Sequence, residues 1–366
     1  MKVLFTASAS GGHIFPALSV ARLLKKKFPQ AQILFLTEKN KVSSQILNGC
    51  EFEVFFLEFK SKGAFSLQVS SSIIKLLLFS LRIINILMKF SPDYIVGFGG
   101  YVSVIPIILG RFLGIRTLIH EQNVLMGKAN YLLGAFAERI AVSFKVTQER
   151  IRSSKITRKI IYTGLPLRES LKQNKREESS HFFNFNLLNK TILVLGGSSG
   201  SREINRAFIK SIASLSSIEK LQIIHISGFE DEGEVKLFYQ NHPNLCAKVF
   251  PFLQDMSLAY SIADLCISRS GAATIYELSL FKIPAILIPY PYAKAHQFEN
   301  ARILGQMKAA IILREETINF SLEQNLRFLI YDKKILEELR NNFPTDLYFD
   351  GAKRLADIIL KDNENT

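Results

Sequence analysis

The chain has 366 residues and 48% hydrophobic content, which exceeds one ordinary core and suits two domains of about 150 to 200 residues each. Its three cysteines are odd in number and lack metal-ligand spacing, so we expect buried free thiols in a reducing cytoplasm. The sequence has no run of about 18 apolar residues that would predict a transmembrane helix. The apolar run after Lys2 is too short for a secretion signal, so the protein is expected to remain in the cytoplasm.

The excess of positive over negative charge is confined to the first half of the chain. The formal net charge is +14, and residues 1–160 hold 22 Lys and Arg against 8 Asp and Glu, whereas the remainder holds 24 of each. Such an asymmetry predicts that the first half faces a polyanion, which is either nucleic acid or an anionic membrane surface.

Strand-like runs alternate with helix-like stretches in both halves, which predicts parallel sheets with right-handed crossovers. The predicted strands lie at 2–6, 32–36, 53–57, 94–97, 117–120, 139–142, 191–195, 222–226, 247–250, 265–268, 285–288 and 309–313. Residues 169–190 are rich in charge, Ser and Asn, and are interpreted as a linker or surface excursion. The fold class is therefore α/β with two Rossmann-like domains, and ligands are expected at the carboxyl ends of the strands.

Residues 66–90 contain neither Gly nor Pro and have the periodicity of a helix. The apolar arc of this predicted helix is wider than the arc of about 100° usual for a soluble amphipathic helix. The surplus apolar surface is therefore either buried by a second helix or in contact with lipid. Residues 66–90 and 104–116 both combine bulky apolar residues with basic ones. This combination favours an anionic membrane surface as the partner of the first half. Nucleic acid fits less well, because no recognition module is found. The polar stripe of the helix consists of Gln68, Ser71, Lys75, Arg82, Asn85 and Lys89.

Two glycine-rich turns, at 10–13 and 196–200, each follow an apolar strand and precede a helix. Glycine lets backbone N–H groups approach an anion closely, so both turns are candidate phosphate sites or simply tight strand-to-helix connections. The second turn lacks Gly-x-Gly-x-x-Gly spacing, which disfavours a dehydrogenase. His13 stands at a helix start, where the dipole is expected to lower its pKa and favour a neutral general base, although a lone histidine can equally be structural.

Four further clusters lie at predicted strand ends. A third glycine turn occupies 96–101, and four hydrogen-bonding side chains at 120–123 are costly to bury without a ligand or partner. In the small-residue turn and helix at 267–277, Thr274 suits a phosphate, and Glu277 either accepts two hydrogen bonds from a ribose diol or is a solvated helix residue. Residues 296–301 offer amide groups for sugar hydroxyls.

Taken in order, these motifs closely resemble the MurG family of peptidoglycan glycosyltransferases. The matching segments read SASGGHIFPAL, VGFGGYVS, HEQN, GLPLR, GGSSGS, SRSGAATIYE and HQFENA, and they span nearly the whole chain. The resemblance implies a metal-independent, cofactor-free, inverting glycosyltransferase of the GT-B type, with two domains facing across a cleft. It implies transfer of N-acetylglucosamine from UDP-N-acetylglucosamine to the C4 hydroxyl of lipid I (undecaprenyl-pyrophosphoryl-MurNAc-pentapeptide), forming lipid II. It also implies a peripheral protein at the cytoplasmic face of the cell membrane.

The resemblance further implies a division of labour along the chain. We expect an acceptor- and membrane-binding domain at 1–163, a UDP-sugar-binding domain at 164–346, and a C-terminal helix at 347–366 that packs back on the first domain. His13 is the implied general base. The residues implied to contact the UDP-sugar are Ser10, Gly11, Gly12, Asn123, Arg168 near the diphosphate, Ser198, Leu253 beside uracil, Ala272, Ala273, Thr274, Ile275, Tyr276, Glu277 on the ribose, and Gln297 on the sugar.

The chain departs from the family pattern at two motifs, and it also lacks an acidic residue that is common shortly before the late glutamine, with Lys294 nearby. Residues 8–10 read Ser-Ala-Ser where the family usually has Gly-Gly-Thr, so side chains are expected to intrude on bare backbone. Residues 164–168 read Gly-Leu-Pro-Leu-Arg in place of Gly-Asn-Pro-Val-Arg. Three alternatives remain open: a related UDP-sugar glycolipid glycosyltransferase with a diacylglycerol acceptor, a nonenzymatic membrane-binding partner, and a nicotinamide oxidoreductase.

Overall fold

A computed structural model describes residues 1–57, 69–171, 175–197, 200–215, 221–292, 295–347 and 349–364. The chain divides into two compact units, of which unit 1 comprises residues 1–168 with 348–366 and unit 2 comprises residues 169–347. The predicted fold class, two Rossmann-like α/β domains, is confirmed by the two parallel sheets described below.

Unit 1 contains a seven-stranded parallel sheet in the order β3-β2-β1-β4-β5-β6-β7. Its strands are β1 Lys2–Thr6, β2 Gln32–Glu38, β3 Glu53–Leu57, β4 Tyr94–Gly97, β5 Arg116–Glu121, β6 Arg139–Val142 and β7 Ile160–Tyr162. Its helices are α1 Gly11–Lys27, α2 Lys41–Leu47, α3 Val69–Phe90, α4 Val104–Phe112, α5 Lys128–Leu133, α6 Val146–Glu149 and α7 Ser154–Thr157, and a 3₁₀ turn spans Tyr101–Ser103.

Alternation of side chains along β1 shows how the first sheet is buried on both faces. Val3 and Phe5 join the apolar cluster on one face, whereas Leu4 joins the cluster on the other. The short strand β7 was not predicted, and its three residues are half-buried. Burial on both faces explains why the other strands were predicted from nearly continuous apolar runs.

Unit 2 contains a six-stranded parallel sheet in the order β10-β9-β8-β11-β12-β13. Its strands are β8 Lys190–Leu195, β9 Leu221–Ile226, β10 Cys246–Phe250, β11 Leu265–Ser268, β12 Ala285–Leu287 and β13 Ala310–Ile312. Its helices are α8 Arg176–Phe183, α9 Arg202–Ser214, α10 Glu232–Gln240, α11 Met256–Ile262, α12 Ala272–Phe281, α13 His296–Gln306, α14 Ile318–Tyr331 and α15 Lys333–Asn341, and a 3₁₀ turn spans Glu315–Thr317.

Two expectations about individual segments were wrong. The stretch 169–190, predicted as a linker or surface excursion, contains helix α8, whose Phe183 is buried and lies 5.8 Å from Phe250 between ring centroids. Most of the other residues of this helix are polar, so the stretch has little apolar periodicity to detect. Of the cysteines, all of which are free, Cys266 is buried as expected but Cys246 is exposed.

The last helix, α16 Gly351–Glu364, belongs to unit 1 and packs against α1. Leu355 and Ile359 join the apolar cluster of the first sheet. Asp362 accepts hydrogen bonds from the Tyr94 hydroxyl at 2.9 Å and from the Arg139 guanidinium at 2.7 Å. The C-terminal segment therefore completes the core of unit 1.

The long helix α3 is buried on one side. Ile83 and Leu87 lie in the core, whereas Leu81 is 61% exposed and Met88 is 72% exposed. Residues 66–68 of the predicted helix lie outside the described residues. None of the helices in the described part of the chain is both long enough and apolar enough to cross a membrane.

Candidate functional site

In unit 1, the carboxyl ends of three adjacent strands bring the predicted polar motifs together. Strands β1, β4 and β5 are neighbours in the sheet, and they lead into the turn 8–13, the glycine turn 98–100 and the polar run 120–123, respectively. Loops at this edge of a parallel sheet are where ligands bind in such folds. The predicted candidate base and two of the predicted clusters therefore share one edge.

Ser10 and His13 form the most direct contact at this edge. Ser10 is the N-cap of α1, and its Oγ lies 2.7 Å from Nδ1 of His13 instead of accepting a backbone N–H. Surrounding protein atoms desolvate the half-buried ring and lower the pKa of His13 to about 4. The neutral form was predicted from the helix dipole, but the principal cause is burial. Gly11 and Gly12 form the first turn of α1.

The glycine turn after β4 lies against this histidine. Gly99 has a φ of +89°, and a Cβ built on it would lie 3.1 Å from Nε2 of His13. Gly100 has a φ of +82°, and a Cβ there would overlap the side chain of Ser8. The serine that replaces a family glycine is therefore accommodated by a residue without a side chain.

The polar run 120–123 is largely satisfied by protein groups. The buried carboxylate of Glu121 accepts hydrogen bonds from the backbone N–H groups of Asn123 and Gly127 and from the amides of Asn123 and Asn130, at 2.8 to 3.2 Å. Burial lowers the pKa of His120 to about 3, and its Nε2 lies 3.3 Å from the Ser143 hydroxyl. The run is mainly structural, and the half-buried Asn123 is its most accessible member.

Arg168 is the last residue of the first stretch of unit 1. Its guanidinium carbon lies 4.4 Å from the ring centroid of Phe15 on α1, which is a cation–π contact. The side chain is half-buried, so its charge is held close to the helix that carries His13.

In unit 2, two helix N-termini follow neighbouring strands β8 and β11. Ser201 is the N-cap of α9, and its Oγ accepts from the N–H of Ile204 at 3.5 Å. Gly271 is the N-cap of α12, so Ala272, Ala273 and Thr274 form its first turn. Backbone N–H groups in a first turn lack intrahelical acceptors and can bind an anion. Ser198 lies outside the described residues.

The remaining predicted residues of α12 differ in what they can contact. The side chains of Ile275 and Tyr276 are fully buried, so any ligand contact from them would use the backbone. Glu277 is nearly buried and accepts a hydrogen bond from the Tyr260 hydroxyl at 2.7 Å. The alternative of Glu277 as a solvated helix residue was therefore wrong.

Gln297 and Leu253 flank the same sheet edge from other loops. Gln297 lies in the first turn of α13, and its Oε1 accepts from the N–H of Tyr290 at 3.0 Å. A backbone N–H can only donate, which fixes the amide orientation and directs Nε2 elsewhere. Leu253 is nearly buried in the loop between β10 and α11.

Sequence reasoning missed Arg269 and Tyr260. Arg269 donates hydrogen bonds to Ser201 and to the carbonyl oxygen of Ile288, and Tyr260 donates one to Glu277. Arg269 is buried at the end of β11, and Tyr260 lies on α11. A lone arginine flanked by small residues at a predicted strand end was the available signal for Arg269. Tyr260 gave no signal, because its partner Glu277 is distant in sequence and the contact depends on the packing of α11 against α12.

Comparison with known proteins gives a consistent assignment. Residues 3–142 match the glycosyltransferase family 28 N-terminal domain, and residues 191–355 match the glycosyltransferase family 28 C-terminal domain. Two Rossmann-like units with these matches define a glycosyltransferase of the GT-B class. The chain belongs to glycosyltransferase family 28.

Several relatives carry the name UDP-N-acetylglucosamine--N-acetylmuramyl-(pentapeptide) pyrophosphoryl-undecaprenol N-acetylglucosamine transferase. One from Thermodesulfovibrio yellowstonii is 35% identical, over 93% of this chain and 92% of the relative. Another from Halothermothrix orenii is 36% identical, over 93% of both chains. The predicted resemblance to the MurG family is confirmed by these relatives.

Solved structures agree with this assignment. The crystal structure of Acinetobacter baumannii MurG superposes with a TM-score of 0.75 and 26% identity, covering 98% of this chain and 99% of that one. A UDP-GlcNAc 2-epimerase from Neisseria meningitidis, bound to UDP-GlcNAc, superposes with a TM-score of 0.67 over 99% of this chain and 100% of that one. At 14% identity the epimerase shares the fold alone.

Proposed function

We propose that this protein transfers N-acetylglucosamine from UDP-N-acetylglucosamine to the C4 hydroxyl of lipid I, inverting the anomeric carbon and forming lipid II. The observation that carries the proposal is similarity over 93% of the chain to relatives named for this transfer. The chemistry of the two sheet edges supports it, because unit 1 presents a neutral histidine and unit 2 presents helix N-termini suited to a diphosphate.

Donor binding is assigned to unit 2. The N–H groups of Ala272, Ala273 and Thr274 bind a phosphate group, helped by the positive end of the α12 dipole. Glu277 accepts hydrogen bonds from the ribose diol, and the Tyr260 hydroxyl holds its carboxylate in place. Ile275 and Tyr276 contribute through the backbone alone, since their side chains are fully buried.

The sugar and base of the donor are assigned to Gln297 on α13 and to Leu253 in the loop between β10 and α11. Gln297 donates from Nε2 to a sugar oxygen, because its Oε1 already accepts from a backbone N–H. Leu253 lies beside uracil, and Ser198 contacts the diphosphate by motif position. Residues of unit 1 complete the donor set by the same motif positions, namely Ser10, Gly11, Gly12 and Asn123.

His13 acts as the general base. When Nδ1–H donates to the Ser10 hydroxyl, Nε2 carries a free electron pair beside the bare backbone of Gly99. Nε2 takes the proton from the acceptor C4 hydroxyl as its oxygen bonds to the anomeric carbon from the face opposite the leaving group. The bond between that carbon and the phosphate oxygen breaks, and UDP leaves with the electron pair.

The negative charge that develops on departing UDP is stabilised by fixed positive groups. The N-terminus of α12 and the guanidinium of Arg168 are assigned to this role, and each is held in place within its own unit. Preorganised donors of this kind stabilise a developing anion without reorganising during the reaction.

The acceptor unit is proposed to associate with the cytoplasmic face of the membrane. Apolar side chains on α3 are exposed by more than half, and the neighbouring helix α4 ends in the exposed Phe112 and Leu113. Exposed Arg82, Lys89 and Arg111 belong to the same helices, so cations flank the apolar side chains as anionic lipid requires. This arrangement supports lipid over nucleic acid as the polyanion.

The decisive experiment incubates the purified protein with UDP-N-acetylglucosamine and a short-chain lipid I analogue, without added divalent metal. We expect transfer of one N-acetylglucosamine to the analogue and release of UDP. A parallel reaction with diacylglycerol tests the glycolipid alternative. Transfer to diacylglycerol alone would reject the lipid I assignment, and failure to bind UDP in calorimetry would reject a transferase altogether.

A further inference from the structure

Arg269 is a buried cation at the centre of the sheet edge in unit 2. It follows β11, which lies between β8 and β12, and it is 5% exposed. Burying a guanidinium destabilises the fold unless hydrogen-bond acceptors and opposite charges compensate for the lost hydration. The groups that contact Arg269 therefore indicate its role in the fold.

The guanidinium reaches the loops of both flanking strands. Its Nη2 donates to Ser201 Oγ at 2.8 Å on the β8 side. Its Nη1 donates to the carbonyl oxygen of Ile288 at 3.3 Å on the β12 side, and its carbon lies 5.2 Å from the Tyr290 ring centroid. One planar group thus joins the two loops.

The residues it holds lead directly to the proposed donor contacts. Ser201 is the N-cap of α9, whose N-terminus follows the glycine turn 196–200. Tyr290 donates its N–H to Gln297, which is assigned to the sugar. A change in the position of Arg269 would therefore move both the N-cap of α9 and the sugar-binding amide.

Two carboxylates face the guanidinium. Glu315 forms an ion pair with Nη2, and Glu203 Oε2 lies 3.6 Å from the same nitrogen. These negative charges offset the attraction that Arg269 would exert on a diphosphate. Its contribution to donor binding is therefore geometric.

We propose that Arg269 is a positioning residue of the donor site, which locks the N-cap of α9 and the Ile288–Tyr290 loop in the arrangement that binds a nucleoside diphosphate sugar. This inference rests on the proposed function of unit 2. Lysine cannot replace it, because a single ammonium lacks the planar fork that reaches both loops.

The test compares Arg269→Lys with Arg206→Lys. Arg206 lies on α9 and makes an exposed two-point contact with Glu234 at 3.1 and 3.3 Å, so it is a matched control outside the site. Calorimetry with UDP is expected to show about tenfold weaker binding for Arg269→Lys and no change for Arg206→Lys. The KM for the donor should rise by a similar factor, with kcat changed less than about twofold.

Equal UDP affinity in wild type and a folded Arg269→Lys would overturn the inference, as would a loss of thermal stability without a loss of affinity. If Arg269→Lys does not fold, Ser201→Ala provides the test, because it removes the hydroxyl that accepts the hydrogen bond from Arg269. Weaker UDP binding by this variant supports the inference, and unchanged binding overturns it. Failure of the wild-type protein to bind UDP would instead reject the proposed function.

Discussion

Ser10 Oγ and His13 Nδ1 lie 2.7 Å apart, and this contact takes the place of the usual N-cap hydrogen bond of α1. A serine hydroxyl can accept as well as donate, and in the proposed mechanism it accepts from Nδ1–H, which leaves Nε2 as the base. Ser10→Ala should therefore lower kcat about tenfold. Ser10→Thr keeps the hydroxyl and should retain most activity, whereas full activity in Ser10→Ala would contradict the tautomer assignment.

Removal of the imidazole tests the base directly. His13→Ala should reduce kcat about a hundredfold or more, because general base catalysis contributes on that scale. The affinity for UDP should persist, since the donor is assigned mainly to unit 2. Single-turnover transfer and UDP calorimetry separate the two effects, and unaltered turnover would remove His13 as the base.

The pH dependence of acceptor turnover follows from the lowered pKa of His13. Burial lowers it to about 4, so the base-competent neutral form persists well below the ordinary value of about 6.5. A lowered pKa moves the loss of activity on acidification to lower pH. We expect kcat/KM to be flat between about pH 6 and 8. An acid limb centred near pH 6.5 would show that the free enzyme holds a solvated imidazole.

The sequence predicts most of the strands and the positions of the glycine turns, because buried parallel strands are continuous apolar runs. It does not predict α8, which is anchored by Phe183 within a polar segment. It also misses Arg269, since the role of that residue depends on its hydrogen bonds to Ser201 and Ile288, which lie near the ends of two neighbouring strands. For His13 the predicted neutral state was right, but desolvation depends on tertiary packing that a helix-start motif does not contain.

Tyr260 and Glu277 give a test of the ribose assignment. Tyr260→Phe removes the hydroxyl that donates to Glu277 Oε2 at 2.7 Å and should weaken UDP binding about threefold to tenfold, since the carboxylate loses its orientation. Glu277→Ala should weaken it further. Binding of a donor analogue without ribose serves as the control, and an equal loss for that analogue would contradict contact with the ribose.

The exposed apolar side chains of α3 predict a membrane-binding phenotype. Leu81 and Met88 project from a helix whose Lys89 and Arg82 are also exposed. Replacing both apolar residues with Glu removes the surface that would enter the lipid and adds charge that anionic head groups repel. Sedimentation with phosphatidylglycerol vesicles should show at least about tenfold weaker binding.

Leu237→Glu provides the matched control, because Leu237 is 58% exposed on α10 of unit 2 and is not assigned to the membrane. Vesicle binding of this control should equal that of the wild type. UDP affinity should be unchanged in all these variants, because none of the substituted residues is assigned to donor binding. Rising salt should weaken wild-type binding without abolishing it, since cations and apolar side chains act together. Equal vesicle binding by the α3 double variant and the wild type would show that the apolar surface of α3 serves another contact.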